Sequence, residues 1–203
     1  RRIEPGRYAE DWDALLSIAE KTWPLAGDES GAGLRALGVV IDGRGEPGVT
    51  PNAYGFWRRS RAAHRNRFHI VMGRPGDAAK RAEVRHPESA HAGKRHIARD
   101  VPVIRAGTDR LKDEVAASLL RREDGARKLH IPRGAPAEIF AEYAAERRGD
   151  KGWRIRPGIK RNEALDLSVY GLALAIVLGA ESIDWTNPPA WAVPGPGNMM
   201  RAA

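Results

Sequence analysis

The chain has 203 residues, of which 42% are hydrophobic and 30% charged, a composition that suits one buried core and is short for two. Its 34 lysines and arginines outnumber its 26 acidic residues, and the net charge of +8 indicates a polyanionic partner, either nucleic acid or an anionic surface. The sequence contains no cysteine. Disulfide scaffolds, cysteine-ligated zinc or iron–sulfur sites and thiol nucleophiles are therefore excluded.

The first half of the chain alternates helical and extended patterns. Apolar residues at helical spacing and short continuous apolar runs predict a helix over 8–23, a buried strand over 37–42, a helix from 50 to about 63 and a strand over 67–72. The first of these helices is expected to stop at Pro24, and Thr50-Pro51 is typical of a helix start. From Arg74 to Arg99 the periodicity disappears and basic residues dominate, which predicts a long basic loop.

The second half continues the alternation and ends in a change of composition. The patterns predict strands over 101–105, 128–131 and 152–156, and helices that begin at Thr108, Pro136 and Asn162. The longest apolar run, 169–180, is shorter than the roughly 20 residues that cross a bilayer, and we expect it to be a buried helix. Residues 181–203 are rich in proline and tryptophan and are expected to form a tail. Strands alternating with helices predict an α/β fold, with one domain over residues 1–180.

Common nucleotide and hydrolase motifs are missing, so carboxylates at the ends of predicted elements are the candidates for chemistry. The sequence has no GxxxxGK[ST] loop, no GxGxxG after a strand and no GxSxG elbow. Asp42 ends the first buried strand and is followed by glycine, which is where open α/β sheets place ligand-binding residues. Taken alone, Asp42 is better interpreted as a side chain that caps a turn.

A second group of polar residues opens the last predicted helix. Asn162, Glu163 and Asp166 are spaced so that all three can point the same way. Acids in a first helical turn commonly only offset the helix dipole. Asp166, however, lies among apolar residues, and a buried carboxylate needs a partner such as a metal ion or a basic side chain. Asp109 and Lys112 lie in the first turn of another helix, where an exposed amphipathic start is the simpler interpretation.

Four segments together resemble a known family. They are IDGRGEPGVTPNAYGFWR from Ile41, RFHIVMGRPG from Arg67, VIRAGTDRLKDEV from Val103 and RNEALDLSVYGLALA from Arg161. In order and spacing they are similar to the nuclease domain of phage terminase large subunits of the lambda (GpA) type. The last segment is the most specific of the four, and the similarity extends from about Trp12 to Gly179.

The resemblance implies a ribonuclease-H-like α/β fold, a central mixed sheet flanked by helices, with acidic residues that bind two Mg²⁺ or Mn²⁺ ions. It places Asp42 and Asp166 as metal ligands and catalytic residues, and Glu163 and Lys112 as neighbours in the catalytic site. Such ions would activate a water and stabilise the leaving oxygen in phosphodiester hydrolysis. Basic residues of the 74–99 segment would contact the DNA backbone, namely Arg74, Lys80, Arg81, Lys94 and Arg95.

The function that the resemblance implies is a metal-dependent endonuclease that cuts concatemeric viral DNA during genome packaging. Its expected partners are double-stranded DNA, the terminase small subunit and the portal, without a membrane, in the cytoplasm of the host. The family's first catalytic aspartate lies on an earlier strand that has no counterpart here, so the site is expected to be incomplete. Two alternatives stay open: another ribonuclease-H-like nuclease, such as a resolvase or transposase core, or a non-catalytic DNA-binding or assembly module.

Overall fold

The computed structural model describes residues 3–24, 32–64, 66–87, 100–189 and 200–201. The protein is mixed α/β, with a mixed central sheet and flanking helices. The hydrogen-bonded order of this sheet is β3-β4-β6-β5, formed by β3 (Val39–Asp42), β4 (Phe68–Arg74), β5 (Ala82–Arg85) and β6 (Val103–Gly107). The chain divides into two compact units, one of residues 1–70, 86–103 and 178–203 and the other of residues 71–85 and 104–177. A ribonuclease-H-like arrangement stays a prediction.

The first unit is built on an aromatic core. A short 3₁₀ helix (Ala9–Asp13) leads into α1 (Ala14–Glu20), and α2 spans Val49–Ser60. Phe56 of α2 packs edge-on against Phe68, with ring centroids 4.9 Å apart, and Trp12 lies 6.1 Å from Phe56 on another side. All three side chains are buried, so the alternation of apolar residues along α2 is explained by this packing.

The first unit differs from the sequence prediction at its first helix. That helix ends at Glu20 rather than at Trp23, and β1 (Thr22–Pro24) pairs antiparallel with β2 (Ala32–Arg35), which in turn pairs with β9 (Met200–Arg201). A residue that directly precedes a proline disfavours the helical conformation. Trp23 directly precedes Pro24. The helical spacing of Trp23 was therefore misleading.

The turn after β3 needs a glycine at its end. Gly48 has a φ of +93°, and a Cβ there would meet the carbonyl oxygen of Gly6 at 2.0 Å, so only glycine fits. Helix α2 consequently begins at Val49, one residue before the predicted start. Thr50 does not cap the helix; its hydroxyl donates to the carbonyl oxygen of Gly43 at 2.6 Å and closes the turn.

The second unit contains three helices and a hairpin besides its sheet strands. The helices are α3 (Thr108–Leu120), α4 (Ala137–Tyr143) and α5 (Glu163–Val177), and the hairpin consists of β7 (Glu146–Gly149) and β8 (Gly152–Ile155). Leu111 and Val115 of α3 and Leu165 and Val169 of α5 are buried, as their helical spacing predicts. The paired helices α3 and α5 therefore form the core of this unit.

Three short segments of the second unit depart from the sequence prediction. Residues 128–131 form no strand; Leu129 instead donates its N–H to the carbonyl oxygen of Ser118 after a reversal in which Arg127 adopts a φ of +66°. The segment expected to be a loop contains the edge strand β5. Strand β7 was not predicted, because its sequence ERRG carries no apolar alternation.

Candidate active site

Four polar side chains of the second unit converge on one point. The Nζ atom of Lys112 lies 2.6 Å from Oε1 of Glu146 and 2.8 Å from Oδ1 of Asp166. Nδ2 of Asn162 donates to the same Glu146 oxygen at 2.5 Å and to Oδ2 of Asp166 at 2.8 Å. We call these residues, Lys112, Glu146, Asn162 and Asp166, the Lys112 cluster. Two carboxylates are thus bound by one ammonium group and one amide.

The side chains of the Lys112 cluster differ in how far they are exposed to solvent. The side chains of Lys112 and Glu146 are 9% and 6% exposed, whereas that of Asp166 is 30% exposed. Because a buried charge is costly unless it is paired, the lysine and glutamate are held in place by each other. Asp166 is the carboxylate of the cluster that solvent reaches best.

The start of α5 explains how Asn162 and Asp166 meet. The carbonyl oxygen of Asn162 accepts the N–H groups of Leu165 and Asp166, so Asn162 directly precedes the helix. Residues four apart in a helix lie on one face, and the amide of Asn162 therefore reaches Asp166. Glu163 does not join them: its side chain is exposed and makes no hydrogen bond or ion pair with the residues that the structure describes.

The partner that Asp166 was expected to need is Lys112. The sequence predicts an exposed amphipathic helix start at Lys112, but only 7% of the residue is accessible. Its neighbour Asp109 is also buried, with 6% accessible. The interpretation of this helix start as exposed was wrong, because the β7–β8 hairpin covers α3 at this point.

Asp109 fastens that hairpin to the rest of the unit. Its carboxylate accepts the N–H of Trp153 at 2.8 Å and the N–H of Gly76 at 2.5 Å, and Arg148 lies 3.7 Å away. Burial works to raise the pKa of Asp109, but the two N–H donors and the neighbouring cations Arg148 and Lys112 outweigh it and hold the pKa below its ordinary value. The residue is therefore a charged anchor for the strand that follows Glu146.

The hairpin approaches Asp109 so closely that its turn requires a glycine. Gly152 has a φ of +92°, and a Cβ there would lie 2.7 Å from Oδ1 of Asp109. On the same side of the hairpin, Nε1 of Trp153 donates to Asp113 at 2.8 Å, and Arg148 forms an ion pair with Asp77 at 2.6 Å. These contacts fix the hairpin on α3 and on the segment between β4 and β5, and so fix the position of Glu146.

Asp42 belongs to the first unit. It ends β3, its side chain is exposed, and Oδ1 accepts the N–H of Arg44 at 2.9 Å. This contact is the turn-capping role that an aspartate before glycine commonly has. A metal-binding role for Asp42 stays a prediction.

The predicted DNA-contacting residues differ in their exposure and in their pairing with acidic side chains. Arg74 is exposed at the end of β4, and Lys80 is exposed beside Glu83, 3.5 Å away. Arg81 instead forms a two-pronged ion pair with Glu114, with distances of 2.7 and 2.6 Å. Lys94 and Arg95 lie outside the described residues.

Sequence reasoning missed Glu146 altogether. The residue stands in the segment AAERRGD, which has neither a motif nor a periodicity, and it meets Lys112 across 34 positions of the chain. The sequence carried no usable signal for it, because the burial of Ala145 directly before it is visible only in the folded structure.

The chemistry of the Lys112 cluster suits a hard cation, although the described part of the chain holds no ready group of three acidic, histidine or cysteine side chains for a metal. Its donors are carboxylate oxygens, which Mg²⁺ and Mn²⁺ prefer. Two carboxylates against one ammonium leave one negative charge, and the more exposed carboxylate is Asp166. The residues therefore fit a single divalent cation by charge and donor type.

Within the described ranges, no helix is long and apolar enough to cross a membrane.

Comparison with known proteins gives one family. The model of the terminase large subunit gpA endonuclease domain matches residues 2–185 of the 203. Neither the curated proteins nor the solved structures contain a match. The match spans both units and includes every member of the Lys112 cluster as well as Asp42. The chain therefore belongs to the terminase large subunit gpA endonuclease domain family, whose members act on DNA in phage packaging.

Proposed function

We propose that this domain cuts concatemeric viral DNA during genome packaging by metal-dependent hydrolysis of phosphodiester bonds, with the Lys112 cluster at its reactive centre. The family supplies the endonuclease activity. The observation that carries the location is the convergence of two carboxylates, a buried lysine and an asparagine on one point of the second unit. Polar groups are costly to bury, so such a convergence is a common mark of a functional site.

The residues of the Lys112 cluster have distinct roles in this proposal. Asp166, the most exposed carboxylate, faces substrate or cation. Lys112 and Asn162 are positioning residues, because each contacts both Glu146 and Asp166 and so holds their oxygens together. Glu163, at the exposed start of α5, is free to contact substrate.

The proposed cofactor is Mg²⁺ or Mn²⁺, with two ions in all, of which the Lys112 cluster by itself fits one. Asp42 and Asp166 as its ligands stay a prediction from the family resemblance, and Glu146 adds a further oxygen donor beside Asp166. A bound divalent cation supplies charge stabilisation for the phosphoryl group under attack. The terminase small subunit and the portal are proposed partners on the same family grounds.

Plasmid nicking in Mn²⁺ tests the proposal. We expect Asp166→Asn to reduce the nicking rate at least about a hundredfold, since it removes a carboxylate that would hold the divalent cation and so weakens the charge stabilisation of the phosphoryl group. Glu123→Gln is the matched control, because Glu123 is an exposed carboxylate in a loop of the same unit and has no described partner. A Mn²⁺-dependent rise in melting temperature that Asp166→Asn abolishes would support metal binding independently of activity.

Two results would contradict the proposal. Nicking that survives removal of divalent metal by a chelator would refute metal dependence. An Asp166→Asn variant that cuts like the wild type and keeps its response to Mn²⁺ would remove the Lys112 cluster from the reaction.

A further inference from the structure

The β7–β8 hairpin and the segment that follows it are strongly basic. Residues 146–161 contain two acids, Glu146 and Asp150, and seven basic residues: Arg147, Arg148, Lys151, Arg154, Arg156, Lys160 and Arg161. Within the described part of the chain, two of the seven have acidic partners: Arg148 is bound to Asp77 and Arg161 lies 3.4 Å from Glu142. The side chains of the other five make no ion pair or hydrogen bond with described residues. This folded surface therefore carries five cations that have no acidic partner among the described residues.

The two faces of the hairpin are used differently. Successive side chains of a strand point to opposite faces, and Arg148 pairs in register with Trp153 while Arg147 pairs with Arg154. Arg148 and Trp153 contact aspartates of α3, so their face is fastened to the unit. Arg147 and Arg154 therefore occupy the opposite face, and both are exposed.

The outward face carries a repulsion that an anion would relieve. Side chains directly opposite on antiparallel strands lie about 5 Å apart, and like charges in that position destabilise the pair. Arg147 and Arg154 stand in this position, and neither side chain forms an ion pair or hydrogen bond with a described residue. Keeping two arginines there costs stability unless a negatively charged ligand binds between them.

The strand that carries this face also carries a residue of the proposed reactive centre. Arg147 directly follows Glu146 of the Lys112 cluster, on the opposite face of the strand, and the basic segment ends at Arg161, next to Asn162 of the same cluster. We propose that the outward face of the hairpin, with Arg147 and Arg154 at its centre, binds the phosphate backbone of duplex DNA and guides it to the Lys112 cluster. This inference rests on the proposed function, and it assigns the substrate contact to a different segment from the 74–99 region that the sequence indicated.

Binding of a fluorescently labelled DNA duplex, measured by anisotropy in EDTA over a series of salt concentrations, tests the proposal. For Arg147→Gln/Arg154→Gln we expect the slope of log K against log[salt] to fall by about 1.8, because each phosphate contact contributes about 0.9. At 0.1 M salt this corresponds to a loss of affinity of about 60-fold relative to the wild type, taking 1 M salt as the reference. The melting temperature should stay the same or rise, since the variant removes a like-charge pair.

The matched control is Arg121→Gln/Arg122→Gln, which makes the same change of net charge. Both arginines are exposed after α3 and their side chains have no described partner. Support for the proposal requires that the control keeps the wild-type slope while the hairpin variant loses it. An equal loss in both variants would reduce the effect to overall charge and overturn the proposal.

The outcomes separate this inference from the proposed function. Wild-type protein that binds and nicks DNA, together with a hairpin variant that binds equally well, would overturn the hairpin surface and leave the nuclease intact. Wild-type protein that neither binds duplex nor nicks it would overturn both.

Discussion

Replacing Lys112 by methionine tests whether the Lys112 cluster is held together by charge. The substitution keeps an unbranched side chain of similar length but leaves Glu146, whose side chain is 6% exposed, with Asn162 as its remaining described partner. Removing one partner of a buried ion pair costs about 3–5 kcal/mol because the other charge stays buried and uncompensated. That is a large share of the roughly 5–15 kcal/mol by which folded proteins are stable.

Urea unfolding at pH 7, followed by circular dichroism, measures the effect. With a denaturant slope of about 2 kcal/mol/M, a loss of 3–5 kcal/mol lowers the unfolding midpoint by about 1.5–2.5 M. The double variant Lys112→Met/Glu146→Gln removes both buried charges, and we expect it to recover most of the loss, since replacing both partners is often close to neutral. Glu123→Gln, an exposed carboxylate, should change stability by less than about 0.5 kcal/mol.

A cost below about 1 kcal/mol for Lys112→Met would contradict this prediction, because the ion pair would then not be desolvated in solution. A double variant as unstable as the single one would contradict it as well. In that case the loss would come from packing around the lysine stem and not from an unpaired carboxylate.

Three further predictions concern the second unit, each with thermal or urea unfolding as the measurement. Asp109→Asn should cost about 1–3 kcal/mol at pH 7, because one of the two N–H donors loses its acceptor. Since the folded state lowers the pKa of Asp109, its stabilisation is present above the ordinary value of 3.8 and is lost as the pH falls through the lowered pKa; the gap between variant and wild type should close there, and a gap that widens in acid would contradict the sign. Gly152→Ala should destabilise by about 1–2 kcal/mol, because φ is +92° and Asp109 blocks the Cβ; an unchanged midpoint would show that the hairpin does not press on Asp109. Gly171→Ala should stabilise by about 0.5–1 kcal/mol, because this exposed glycine lies inside α5 with nothing within 4 Å of an added Cβ, and destabilisation would mean that the helix face is covered.

Much of the local structure follows from sequence patterns alone. Strand β3 and helices α2, α3 and α5 were predicted to within a few residues, because each carries a clear apolar pattern. The three helices bury their apolar stripes, whereas in β3 only Ile41 is buried, although the sequence predicted a buried strand. The juxtaposition of Asn162 and Asp166 was also predicted, since residues four apart meet within any helix. The requirement that Asp166 have a partner followed from the apolar residues around it.

The contacts between residues that are distant in the sequence were decided by the tertiary structure. Glu146 reaches Lys112 because the β7–β8 hairpin folds over α3, and no local rule brings together residues that are 34 positions apart. The same contact buries Asp109 and Lys112, which an isolated amphipathic helix would expose. Strand β1 is too short, and strands β5 and β7 are too short and too polar, to be recognised without the strands that pair with them. A sequence determines local conformation and the need for a partner, whereas the identity of that partner depends on which distant segment the fold packs against it.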